Sequence, residues 1–250
     1  MITNTQRILY NDGYYPAYQQ RTDKKVYSQG GLYRIEAFEE VKTDKVWKIE
    51  IENGLVSYFS ECTLYTELLN FKHITDFREG DNVLLTFPWY PFQSKFTLAR
   101  DVLKAFVYGE GKEKICKIYK IKDISKFKLL ANNPEFVSDF LCSVVKMYFK
   151  DFRYEWIIVK NIFSYEMLQE LILAFSIFGV YTKIEKEKGK WVLFINSKDF
   201  LKNLGGPLGY SMKSQVVRKI TPIEQETQAF KVKTDLVNSL VVNGIMIKGD

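Results

Sequence analysis

The sequence predicts an α+β protein, β-rich towards both ends and mixed helix and strand in the middle. Three observations carry that prediction. From residue 25 to 85, short alternating or apolar runs are separated by the turn signals Gln29-Gly-Gly31, Asn53-Gly54 and Glu79-Gly80. Residues 98–218 instead alternate helical periodicity with short strands. Residues 231–247 return to β-type runs around Asn243-Gly244.

Composition agrees with a folded chain. At 250 residues, 46% hydrophobic and 16% aromatic, there is apolar material for one large or two small cores. The 19 Phe and 16 Tyr are scattered, as packing residues are. Thirty-six basic against 30 acidic side chains leave +6, which suits duplex DNA and an ordinary solvated surface equally. Cys62, Cys116 and Cys142 lie far apart with no CxxC pair, against a disulfide framework or structural zinc. The single histidine, His73, is expected in an exposed loop; a His-based zinc site, an HNH-type nuclease or a Cys–His nucleophile pair could be assembled only if His73 serves. The opening residues are polar, without a signal-peptide pattern. The longest apolar run, 168–181, is interrupted by Glu170 and too short to cross a bilayer. A soluble chain without a membrane partner, cytoplasmic or carried in a virion, is expected.

In order along the chain, residues 1–16 read as an arm packed on a body or partner, with turns at Asn11-Asp12-Gly13 and Pro16. Strands are expected over 31–37, 45–52 and 81–87, with Asn53-Gly54 closing a hairpin. A helix over 97–108 ends in Gly109-Glu110-Gly111. A lysine-rich strand follows over 112–122, then a second helix over 135–148 opened by Asn133-Pro134. Next come a strand over 155–159 and a helix from its cap Ser164 to Phe178, stopped by Gly179. A hairpin turns through Lys188-Gly189, and a short helix over 198–204 ends at Gly205-Gly-Pro207.

Ile74-Thr-Asp-Phe-Arg-Glu-Gly-Asp-Asn-Val-Leu84 and Val242-Asn-Gly-Ile245 resemble blocks of the intein (Hint) domains. That resemblance implies one all-β domain built from 17–96 and 219–250. It also implies where splicing chemistry should sit, and each such position holds an unsuitable residue. The Thr-x-x-His box falls on Phe59 and Cys62, the upstream nucleophile near Gln19, and the closing His-Asn on Lys248 and Gly249. Neither Phe nor a neutral thiol can protonate a scissile amide, Gln cannot undergo an acyl shift, and without the final Asn no succinimide forms.

Leu103-Lys-Ala-Phe-Val-Tyr-Gly-Glu-Gly111 and Leu141-Cys-Ser-Val-Val-Lys-Met-Tyr-Phe149 resemble the paired helices of the LAGLIDADG homing endonucleases. Residues 97–218 are then an inserted αββαββα domain. In that family, closing acids of the two helices hold divalent metal that generates a hydroxide. Glu110 keeps the acid position and is the candidate metal ligand; its alternative is an exposed carboxylate at a helix end. Tyr148 replaces the second acid, with Asp151 in reach if the helix extends by a turn. Lys114, Lys117, Lys120 and Lys122, with Lys213 further on, are candidate phosphate contacts; the alternative is a solvated strand edge that discourages aggregation.

The expectation is a splicing-dead, cleavage-dead relic recruited as a structural or protein-binding component, such as part of a phage particle or its assembly machinery. It needs no cofactor and is more a scaffold than an enzyme. The alternative is a double-stranded-DNA-binding protein or weak endonuclease using Glu110 and Mg²⁺.

Overall fold

The computed structural model describes residues 1–28, 31–67, 70–89, 128–131, 134–159, 163–203, 209–235 and 239–248. The expected helix over 97–108, the lysine-rich strand, Glu110, Lys114, Lys117, Lys120, Lys122 and Gly249 lie outside them. In chain order the strands begin with β1 (Ile2–Thr3), β2 (Arg7–Tyr10), β3 (Gly13–Pro16), β4 (Lys25–Ser28) and β5 (Gly31–Ile51). β6 (Val56–Phe59), β7 (Thr63–Tyr65), β8 (Phe71–His73) and β9 (Asn82–Trp89) follow. Then come α1 (Pro134–Tyr148), β10 (Phe149–Arg153), β11 (Trp156–Val159) and α2 (Tyr165–Ile177). β12 (Thr182–Glu187), β13 (Lys190–Asn196), α3 (Ser197–Asn203), β14 (Gly209–Thr234), β15 (Ser239–Val242) and β16 (Ile245–Lys248) complete the chain.

Strand dominates these residues. They divide into two compact units, Met1–Thr86 with Met212–Asp250, and Phe87–Ser211. β9 and β14 run through the two points of division.

The first unit is a 12-stranded sheet in the order β15-β2-β4-β5-β6-β1-β14-β9-β16-β7-β8, with β3 on β2. An added β15–β16 pairing closes this path on itself and leaves few bare edges. Residues 1–16, expected as an arm, are part of this body. β1 lies between β6 and β14, with Ile2 opposite both Phe59 and Phe230. Ile2, Ile8, Leu9, Tyr10 and Tyr14 are buried, so burial of apolar surface draws the segment in.

The separate strands expected over 31–37 and 45–52 are one strand, β5, paired with β14 from Ile51↔Val217 to Ile35↔Thr234. Most side chains along this ribbon are exposed or only partly buried, so no apolar period marked the stretch between. Asn53-Gly54 does turn a hairpin into β6. Gly54 has φ +87°, and Asn53 Oδ1 accepts the Leu55 N–H at 3.0 Å. His73, expected in a loop, ends β8 and caps a short 3-10 helix over Ile74–Asp76.

The second unit sets α1, α2 and α3 against a four-stranded antiparallel sheet in the order β10-β11-β13-β12. Helix α2 has both expected ends. Ser164 accepts the Met167 N–H at 3.2 Å. At the other end the N–H groups of Gly179 and Val180 reach the carbonyls of Ser176 and Phe175 at 3.0 and 3.1 Å, with Gly179 at φ +70°. β12 and β13 join through Lys188-Gly189, both at positive φ, the two-residue turn that suits twisted strands. Among the described residues no helix is long and apolar enough to cross a membrane.

Candidate functional site

In the first unit, strand pairing gathers several of the positions singled out from the sequence. Thr63 lies opposite Lys248 on one side and His73 on the other. Cys62, immediately before Thr63, is buried, belongs to no disulfide, and its carbonyl accepts the Ile74 N–H at 2.9 Å. Phe59 is fully buried at the end of β6, across from Ile2. The Met1 amino group donates to the carbonyl of Glu61. Phe59 and Cys62 therefore lie around the start of β1, and Lys248 is level with Thr63, the residue after Cys62.

Gln19 is not among them. It is exposed on a 3-10 helix over Ala17–Gln19, and no described contact joins it to Phe59 or Cys62. The start of β1, rather than Gln19, lies beside Phe59 and Glu61. An open depression of about 430 Å³ lies there, lined by Met1, Lys42, Thr43, Asp44, Lys45, Glu61 and Glu226.

The chemistry available at these positions is poor. Lys248 Nζ rests 4.7 Å from the centre of the Phe71 ring, a cation–π contact that holds its charge at the surface. His73 Nδ1 is engaged with Thr75 Oγ1 at 2.8 Å, so the one imidazole is committed to capping its own turn. Asp81, immediately before β9, is held below the usual carboxylate range. The main cause is its bond from Lys72 at 2.7 Å, aided by the Arg78 N–H at 2.7 Å.

A residue that the sequence reading passed over, Gln6, anchors this region. Its Oε1 accepts the Asn243 side-chain amide at 2.5 Å and the Tyr58 N–H at 3.2 Å. Asn243 Oδ1 in turn accepts the Arg7 N–H at 2.9 Å, while its own N–H donates to the Arg7 carbonyl at 2.8 Å. Both side chains are buried, so each polar atom has needed a partner. The available signal was Asn243-Gly244, a pair that favours a turn with positive φ at both positions.

In the second unit, Tyr148 ends α1 with its ring 5.6 Å from Phe163, edge to face. The helix does not extend to carry Asp151 forward: strand β10 starts at Phe149. Asp151 accepts its neighbour's N–H at 2.8 Å and pairs with Arg153 at 3.2 Å, which together lower its pKa. Cys142 is buried within α1, and burial first, then the charge of Asp139, pushes its thiol well up. Lys213 lies on β14, half buried. Among the described residues, no group of three or more His, Cys, Asp or Glu is placed to hold a metal ion.

No protein-family model and no curated protein matches this sequence. Among solved structures, the chain is similar to a bacterial intein-like domain from Clostridium thermocellum, at 9% identity and a TM-score of 0.40, covering 100% of this chain and 99% of that one. It is also similar to a mutant of an Ssp DnaB mini-intein variant, at 8% identity and a TM-score of 0.40, covering 100% and 98%. At that TM-score neither likeness carries an argument about this chain.

Proposed function

We propose that this chain is a Hint-like body with a LAGLIDADG-like insertion, that it neither splices nor cleaves, and that its scaffold now serves as a protein-binding component of a larger assembly. The observation that carries the reading is the state of the box positions. Phe59 is buried at the end of β6, Cys62 is buried in the link from β6 to β7, and Lys248 on β16 is engaged with Phe71. Chemistry is lost there while packing is kept, the pattern of a fold retained for its surface.

What supports the LAGLIDADG-like part is the order α1–β10–β11–α2–β12–β13–α3 within one unit, the order that the sequence resemblance implies. The competing reading is duplex-DNA binding, or cleavage with Glu110 holding Mg²⁺, and it draws on the lysines between 112 and 128.

One experiment addresses both. The chain is expressed between two reporter proteins, and the purified protein is titrated with random duplex DNA at low and moderate salt, with and without Mg²⁺. The expected results are an intact fusion and no salt-sensitive binding. Excised or cleaved product overturns the splicing-dead reading. Binding that falls steeply with salt overturns the scaffold reading in favour of DNA, and nicking abolished by Glu110→Gln would assign the metal site.

A further inference from the structure

β10 and β12 are the two outer strands of the four-stranded sheet, with β11 and β13 between them. In a flat sheet they would stand roughly 14 Å apart, at about 4.8 Å per spacing. Yet Glu187, the last residue of β12, is bonded to β10 through both carboxylate oxygens. Oε2 meets Lys150 Nζ at 3.3 Å and Oε1 meets Arg153 Nη1 at 3.1 Å. Arg153 Nε continues to Asp151 Oδ2 at 3.2 Å. Side chains stand nearly perpendicular to their sheet, so they meet across such a span only where the sheet curls towards the face that bears them.

The register identifies what else that face holds. Arg153 is opposite Trp156, Asp151 opposite Ile158, Ile158 opposite Phe194, Val192 opposite Glu185, and Phe194 opposite Lys183. Ile158, Val192 and Phe194 form a buried apolar cluster with Trp156 packed on it. Lys183 lies over it, its Nζ 4.8 Å from the Trp156 ring and 5.4 Å from the Phe194 ring, and is paired with Glu185 at 2.7 Å.

We propose that Glu187 is the hub of an electrostatic strap that holds β10 curled towards β12 over this cluster. The strap is built to yield. Its members are one-quarter to one-half exposed, and ion pairs in such settings are weak and screened by salt. Salt, or a partner that competes for Glu187, therefore releases the outer strand and bares Trp156 with the cluster beneath it.

The test is amide hydrogen exchange of the full chain, followed in peptides covering 149–159 with peptides from 165–177 as reference. In low salt, Glu187→Gln is expected to raise exchange in 149–159 by roughly fivefold, the scale of two weak ion pairs lost together, and to leave 165–177 unchanged. Glu185→Gln removes the same charge and breaks only the Lys183 pair, so it leaves 149–159 at the wild-type rate. The wild-type protein approaches the Glu187→Gln rate as salt rises. A rate in 149–159 that is indifferent to salt in the wild type overturns the strap, as does an equal rise in the two variants. If Glu187→Gln fails to fold, the wild-type salt series decides alone.

Discussion

Asn243 bears on stability through both its backbone and its side chain. At φ +46° it occupies a conformation that costs most residues about 1–2 kcal/mol, and its amide is bonded to Gln6 and Arg7 in a buried setting. Asn243→Gly keeps the conformation and loses the amide; Asn243→Ala loses both. Urea unfolding should show destabilisation for each, with Ala worse than Gly by about 1 kcal/mol. Equal losses would mean that the side chain alone matters. Asp81 offers a pH test. Its folded pKa lies below the unfolded value of about 3.9, so its stabilisation is complete above that range and disappears as pH falls through the folded value. Asp81→Asn should therefore lower the urea midpoint at pH 7, and the gap from wild type should close in acid.

Among the elements, α2 is the best defined by local chemistry, and Ser164→Ala should cost about 1 kcal/mol by removing the bond to the Met167 N–H. A loss near zero by thermal unfolding would show that packing alone fixes the helix start. The same locality explains what the sequence revealed. Ser164, Gly179, Pro134 and the two-residue turn at Lys188-Gly189 each act within a few residues, so their elements could be read directly. β14 could not. Between Val217 and Ala229 its side chains face solvent on both sides of a ribbon, Pro222 breaks the strand pattern, and the described pairing over that stretch is with β5, distant in sequence. The site was half legible for a like reason. Phe59, Cys62 and Lys248 could be singled out only by their spacing from stretches that resemble intein blocks. The place of β1 depends on Ile2 meeting Phe59 and Phe230, contacts that no local pattern announces.

For the whole molecule, the boundary residues Thr86 and Met212 lie on β9 and β14, neighbours in the first unit's sheet. Replacing 87–211 by a short Gly-Ser linker should therefore leave a folded first unit, since closing that gap needs only a strand-to-strand connection. Circular dichroism with a cooperative β-type melt would be the sign; a chain without cooperative unfolding would show that the first unit depends on the insertion.

The bonds that tie Gln6 and Arg7 to Asn243 cross 237 and 236 residues of sequence. On the ribosome this fixes a timetable. β1 meets β6 early but waits for Ala229 and Phe230 on its other side, and β2 meets β3 and β4 early but waits for Val242, so the opening strands emerge long before their distant partners exist. The second unit, continuous in sequence, is complete by Ser211. Domains fold as they appear, and local contacts form first. The second unit can then fold while the first still lacks the strands from Met212 onward, and β15 with β16 is the last strand pair added to the first unit.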